Sequence, residues 1–138
     1  MGNYNWKKAV QAEKYEKVIS KVCEDFKIKI LDMSKEPIHI VKMHQPAEDF
    51  INRSSICGDE IWLGLYKDKE LRCISFFHEI GHKILPHKWG KVIKWNTLSF
   101  EMECWQRGIT YAGKMGIHFS NRAIAWGYRQ ALTYKDYK

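Results

Sequence analysis

Residues 71–86 read Leu71-Arg72-Cys73-Ile74-Ser75-Phe76-Phe77-His78-Glu79-Ile80-Gly81-His82-Lys83-Ile84-Leu85-Pro86. Leu71, Ile74, Phe77, Ile80 and either Ile84 or Leu85 recur at steps of three and four, the period of an amphipathic helix. Proline then stops it. The spacing predicts a helix from about Lys69 to Leu85 whose apolar stripe faces a core, with His78 and His82 along one edge of that stripe. At about 100° per residue, positions four apart differ by about 40° around the axis, so both imidazoles point one way. Two nitrogen donors on one helical face suit a tetrahedral zinc ion. Glu79 projects beside them and can take a proton from a water held there.

Outward from this helix, the chain alternates short apolar runs with amphipathic segments. Trp6 to Phe26 carries apolar residues at Val10, Tyr15, Val18, Ile19, Val22 and Phe26, spaced as in a helix with charged residues outside. Ile28–Leu31 and Ile38–Val41 read as short strands, and 45–55 as a loop with Pro46, Asn52 and paired serines. Ile56 to Tyr66 reads as a hairpin turning at Gly58-Asp59. Two further helices are expected, from about Leu98 to Met115 and from a Ser120 cap to about Tyr134. No repeat, low-complexity tract or linker interrupts residues 1–138, which read as one domain. The fold class is α+β: an N-terminal helix, a small, mostly antiparallel sheet, the His-bearing helix and two C-terminal helices.

A catalytic zinc site needs a third protein ligand and an open position. The candidates are Glu101, Glu103, His87 and His118. His87 lies beyond Pro86, where helix geometry no longer holds it on the metal face, and His118 sits between Ile117 and Phe119 with no supporting pattern. Glu101 shares the stripe of Leu98, Met102, Trp105, Ile109 and Ala112. Glu103 groups with Phe100, Arg107, Tyr111 and Lys114 on a mixed face, where pairing with Arg107 is its expected fate. A carboxylate on a buried stripe demands a partner, and a zinc ion is a good one. Glu101 is therefore preferred to Glu103.

The 138 residues carry 23 Lys and Arg against 16 Asp and Glu, a formal charge of +7, which attracts acidic partners. The lysines form no block of five or six, so no dedicated nucleic-acid arm stands out. At 45% apolar and 28% charged residues, neither a disordered nor a membrane class fits. No stretch approaches the roughly 18 apolar residues of a membrane helix. The first residues lack the apolar core of a secretory signal, so a cytoplasmic location is expected. Cys23, Cys57, Cys73 and Cys104 form no Cys-x-x-Cys pair and read as reduced, mostly buried thiols.

The HEIGH sequence followed by Lys83-Ile84-Leu85-Pro86-His87 resembles the HExxH-x-x-L-x-H helix of ImmA/IrrE-type metallopeptidases. The run Arg72 to Phe77 is similar to the segment leading into that motif. Glu101-Met102-Glu103-Cys104-Trp105 resembles the family's E-x-E-A-N segment, with Cys104-Trp105 in place of Ala-Asn. The resemblance spans about Ile56 to Ala112. It implies a zincin-like fold of the stand-alone phage or mobile-element type, with His78, His82 and Glu101 as zinc ligands and Glu79 as base. It also implies that the Trp62 strand is the edge along which an extended peptide lies.

The expected activity is zinc-dependent hydrolysis of a peptide bond in a protein or peptide, a transcriptional regulator among the candidate substrates. Tyr66, Tyr111, His118 and Arg107 are the possible oxyanion donors, and the sequence does not choose among them. The alternative is a non-catalytic, zinc-stabilised interaction domain that binds a regulatory protein or nucleic acid. The absent polar residue after Glu101 and the basic charge motivate it, whereas Glu79 favours the enzyme, since a closed structural site has no use for a base. A nucleic-acid module with an accidental HExxH ranks last, because no aromatic-basic platform accompanies it.

Overall fold

The computed structural model describes residues 6–35, 50–85 and 98–134. Helix α1 (Trp6–Phe26) leads into strand β1 (Lys29–Asp32), then β2 (Ser54–Cys57) and β3 (Glu60–Leu63). Helices α2 (Lys69–Ile84), α3 (Leu98–Lys114) and α4 (Asn121–Ala131) follow, and Leu132–Tyr134 adds one 3-10 turn. The α+β layout is the one the sequence predicts. The expected strand Ile38–Val41, residues 45–49 of the expected loop, and His87 lie outside the described residues.

Each boundary has a local cause. Lys27 at φ 56° ends α1, and the Ile28 amide reaches back to the Cys23 carbonyl at 2.8 Å, the closing turn of a helix with a left-handed residue after it. Gly58 takes φ +60°, as a two-residue hairpin turn requires at its first position, and Cys57 pairs with Glu60 across it. Asp68 caps α2 by accepting from the Glu70 and Leu71 amides, and Ser120 caps α4 by accepting from the Ala123 amide. The two caps are joined: Arg122 bonds Asp68 at 2.8 Å, while Glu70 accepts from the Ser120 amide and hydroxyl at 2.9 and 2.8 Å.

The sheet order is β1-β3-β2, with β1 parallel and β2 antiparallel to β3. This corrects one expectation. The Trp62 strand is β3, hydrogen-bonded on both sides, so it is not an edge; among the described strands only β1 and β2 have a side free for another strand. Ile61 and Leu63 of β3 point into the core, where they join Ile19 and Val22 of α1 and Ile74, Phe76, Phe77 and Ile80 of α2. Helix α2 is buried from Leu71 to Gly81, so it is the central element rather than a one-sided amphipathic helix. Its polar members there need partners. The buried Arg72 guanidinium pairs with Asp32 of β1 at 2.5 Å and with Glu16 of α1, tying three elements at one cation.

Helices α2 and α3 touch backbone to backbone. A Cβ added at Gly81 would lie 2.0 Å from the Cys104 carbonyl oxygen, and one at Gly108 would lie 2.1 Å from that of Phe77. The buried face of α3 is consequently Phe100, Glu101, Cys104, Trp105, Gly108 and Ala112. Met102 and Ile109, expected on the stripe, are only half-buried, and Phe100, expected on the mixed face, is buried. The contact is centred on small residues because they permit the closest approach, not on the largest apolar ones.

Two outcomes test this frame. Gly108→Ala is expected to destabilise the fold by about 1–3 kcal/mol or more, since the obstructing atom is backbone, as read by denaturant unfolding. Asp32 has a lowered pKa: burial opposes ionisation, but bonds from Ser34 and Arg72 outweigh it. Its stabilising contribution is therefore complete above the ordinary value of 3.8 and is lost as pH falls through the depressed one. The stability difference between the native chain and Asp32→Asn should shrink steadily in unfolding curves taken from about pH 5 to pH 2.

Candidate metal centre

The site is built on the α2–α3 contact. His78 and His82 stand one turn apart on α2 with ring centroids 4.7 Å apart. Glu101, in the first turn of α3, is only 2% exposed and divides its carboxylate between them. His78 Nε2 lies 2.7 Å from Glu101 Oε2, and His82 Nε2 lies 3.2 Å from Oε1. The sequence therefore names the three groups that converge. Glu103 turns away to pair with Arg107 at 3.5 Å, and His118 is exposed.

The electrostatics favour a positive charge between these groups. Burial opposes protonation of His78, yet the Glu79 charge and hydrogen bonds to Glu101 and Glu79 outweigh it and raise its pKa to about 9. Burial likewise opposes ionisation of Glu101, but hydrogen bonds from His78 and His82 lower its pKa to about 2. A proton on imidazole supplies that charge, and a divalent cation would supply it more fully. Two donors bound to one tetrahedral zinc ion at about 2.0–2.1 Å lie roughly 3.3 Å apart. The 3.2 Å contact has that spacing already, and the 2.7 Å contact needs only a small opening. His78, Glu79 and His82 also offer donor atoms within 4.8 Å of one another, a group able to hold a metal ion. The donor set fits.

Glu79 is buried, with its carboxylate 3.3 Å from His78 Nδ1. Of the four possible oxyanion donors, Tyr66 is the one tied to the sheet beside α2: its hydroxyl shares a 2.7 Å hydrogen bond with Ser54 Oγ of β2. Burial, the largest influence, raises its pKa, so it remains a phenol at neutral pH. Arg107 is engaged with Glu103, and the Tyr111 ring packs against Phe26 and Phe77.

Two residues acquire contacts that the sequence does not announce. Cys104 Sγ lies 3.4 Å from His82 Nδ1, and the Trp105 ring lies flat on His78, 4.1 Å between centroids and 5° between planes. Their place one turn after Glu101, on its own face, is the signal that could have found them. Of the four thiols expected to be mostly buried, Cys73 and Cys104 are, Cys23 is half-buried and Cys57 is exposed on β2. All four are free. No helix among the described residues is long and apolar enough to cross a membrane.

Searches against protein-family models, curated proteins and solved structures find no match to this chain.

The ligand assignment makes a direct test. Glu101→Ala should weaken divalent-cation binding by about a hundredfold or more, whereas Glu103→Ala should stay within about threefold of the native chain, by calorimetric titration.

Proposed function

We propose that this chain is a zinc-dependent metallopeptidase of the ImmA/IrrE type, hydrolysing a peptide bond in a protein substrate. One observation carries the reading: the HExxH helix and the next helix bring two imidazoles to one buried carboxylate, each imidazole within 3.2 Å of it across the helix contact. Zinc bound there would polarise a scissile carbonyl and acidify a water. The chain's own residues do the rest. His78, His82 and Glu101 hold the ion, and Glu79 accepts the proton of the attacking water and delivers it to the leaving amine. The charge of +7 favours an acidic peptide or a substrate bound to nucleic acid, and a regulatory protein is the substrate class proposed.

A second reading has its own support. Glu79 is buried and leans on His78 Nδ1 at 3.3 Å, as a group that holds a ligand rather than moves a proton. That arrangement suits a zinc-stabilised interaction domain binding a regulatory protein. Plasma mass spectrometry of protein purified without chelator should give near one zinc per chain. Glu79→Gln should retain that zinc while cleavage of fluorescent casein falls by about a factor of 10² to 10⁴. Equal cleavage by Glu79→Gln would remove it as the base. Zinc retained with no cleavage by either protein would favour the interaction domain.

A further inference from the structure

The metal reading leaves open what holds the imidazoles in the plane that a cation needs. A histidine presents its Nε2 lone pair only when the proton sits on Nδ1, and the group bonded at Nδ1 fixes both the tautomer and the ring's rotation. For His82 that group is the Cys104 thiol, at 3.4 Å. Cys104 is fully buried beside that ring, and in the tautomer that frees Nε2 for a cation its sulfur is the acceptor for Nδ1–H. The Phe100 ring, 5.4 Å away, closes another side of the same imidazole.

His78 has the Glu79 carboxylate 3.3 Å from its Nδ1, and a stacked ring adds a second hold on its plane. Its ring lies on the Trp105 indole at 4.1 Å, and the indole is itself seated from α4: a Cβ at Gly127 would fall 2.7 Å from the Trp105 ring. Trp126 meets the indole edge-on at 6.1 Å. The Trp105 Nε1 has no hydrogen-bond partner among the described residues, so packing of its faces, not a polar anchor, accounts for its position. A buried donor left unpaired is a cost that the stack must offset.

We propose that the consecutive residues Cys104 and Trp105 are positioning residues for the two histidines, Cys104 setting the tautomer of His82 and Trp105 the ring plane of His78. One turn of α3 thus supplies the third ligand at Glu101 and the orienting contacts for the other two. The proposal rests on the metal-binding reading and deepens it.

Zn²⁺ alone is the probe, titrated into the chelator-treated 138-residue chain in competition with a chromophoric chelator. Cys104→Ala and Trp105→Leu should each weaken Zn²⁺ binding about ten- to a hundredfold, the usual effect of removing a ligand's orienting partner. Cys104→Ser, which keeps an acceptor at the position, and Trp105→Phe, which keeps a ring, should recover most of the affinity. Cys73→Ala removes an equally buried thiol on α2 outside the cluster and should leave binding within threefold. The Co²⁺-loaded Cys104→Ala protein should also show a changed visible absorption band, which general loss of stability would not produce. Unchanged Zn²⁺ affinity in Cys104→Ala and Trp105→Leu, or an equal loss in Cys73→Ala, would overturn the inference while leaving the metal site standing. No Zn²⁺ uptake by the unaltered protein would remove the metal reading and this inference with it.

Discussion

The structure depends on how closely α2 and α3 approach. Side chains at positions 81 and 108 would hold the axes apart, and glycine at both lets each backbone rest on the other's carbonyl. Glu101 has a short side chain for the distance it spans, and its carboxylate reaches two imidazoles on the facing helix only because nothing separates the backbones. The packing and the chemistry are therefore one constraint. Close-packed interiors transmit shifts of this kind rather than absorbing them.

Around that contact the chain places its buried charges in pairs. Arg72 answers Asp32 and Glu16, while Glu101 answers His78 and His82. Both clusters use α2, one near its beginning and the other near its end. The first has cation and anion supplied by the protein, so the surrounding elements are locked together. The second has donors in excess and a buried carboxylate among imidazoles, an arrangement completed by a proton or a metal ion. The same physical penalty on buried charge thus yields a staple in one place and a candidate metal centre in the other.

Much of this was legible in the sequence. The bounds of α1, the hairpin at Gly58-Asp59, the Ser120 cap, and the convergence of His78, His82 and Glu101 follow from period, turn chemistry and motif spacing. Strand order was not legible: nothing in Glu60–Leu63 says that β1 and β2 enclose it, because partner choice is decided by the whole sheet. The rotation of α3 was missed for a related reason. Apolar periodicity weighs Met102 and Ile109 above Gly108 and Cys104, yet the small residues set the contact because they let the backbones meet. Trp105 and Cys104 read as ordinary core residues by type, and only the neighbouring helix shows which rings they touch.

Gly127 touches no ligand and belongs to a helix that contributes none. Even so, any side chain there would press on Trp105, and through it on the plane of His78. In a mutational survey, such a position would be as intolerant as His78 itself, and its neighbours on the exposed side of α4 would accept almost anything. Intolerance to substitution in this fold therefore maps the line of contact that carries the cluster, Gly81, Gly108 and Gly127 included, and does not by itself separate the residues that converge there from the residues that leave room for them.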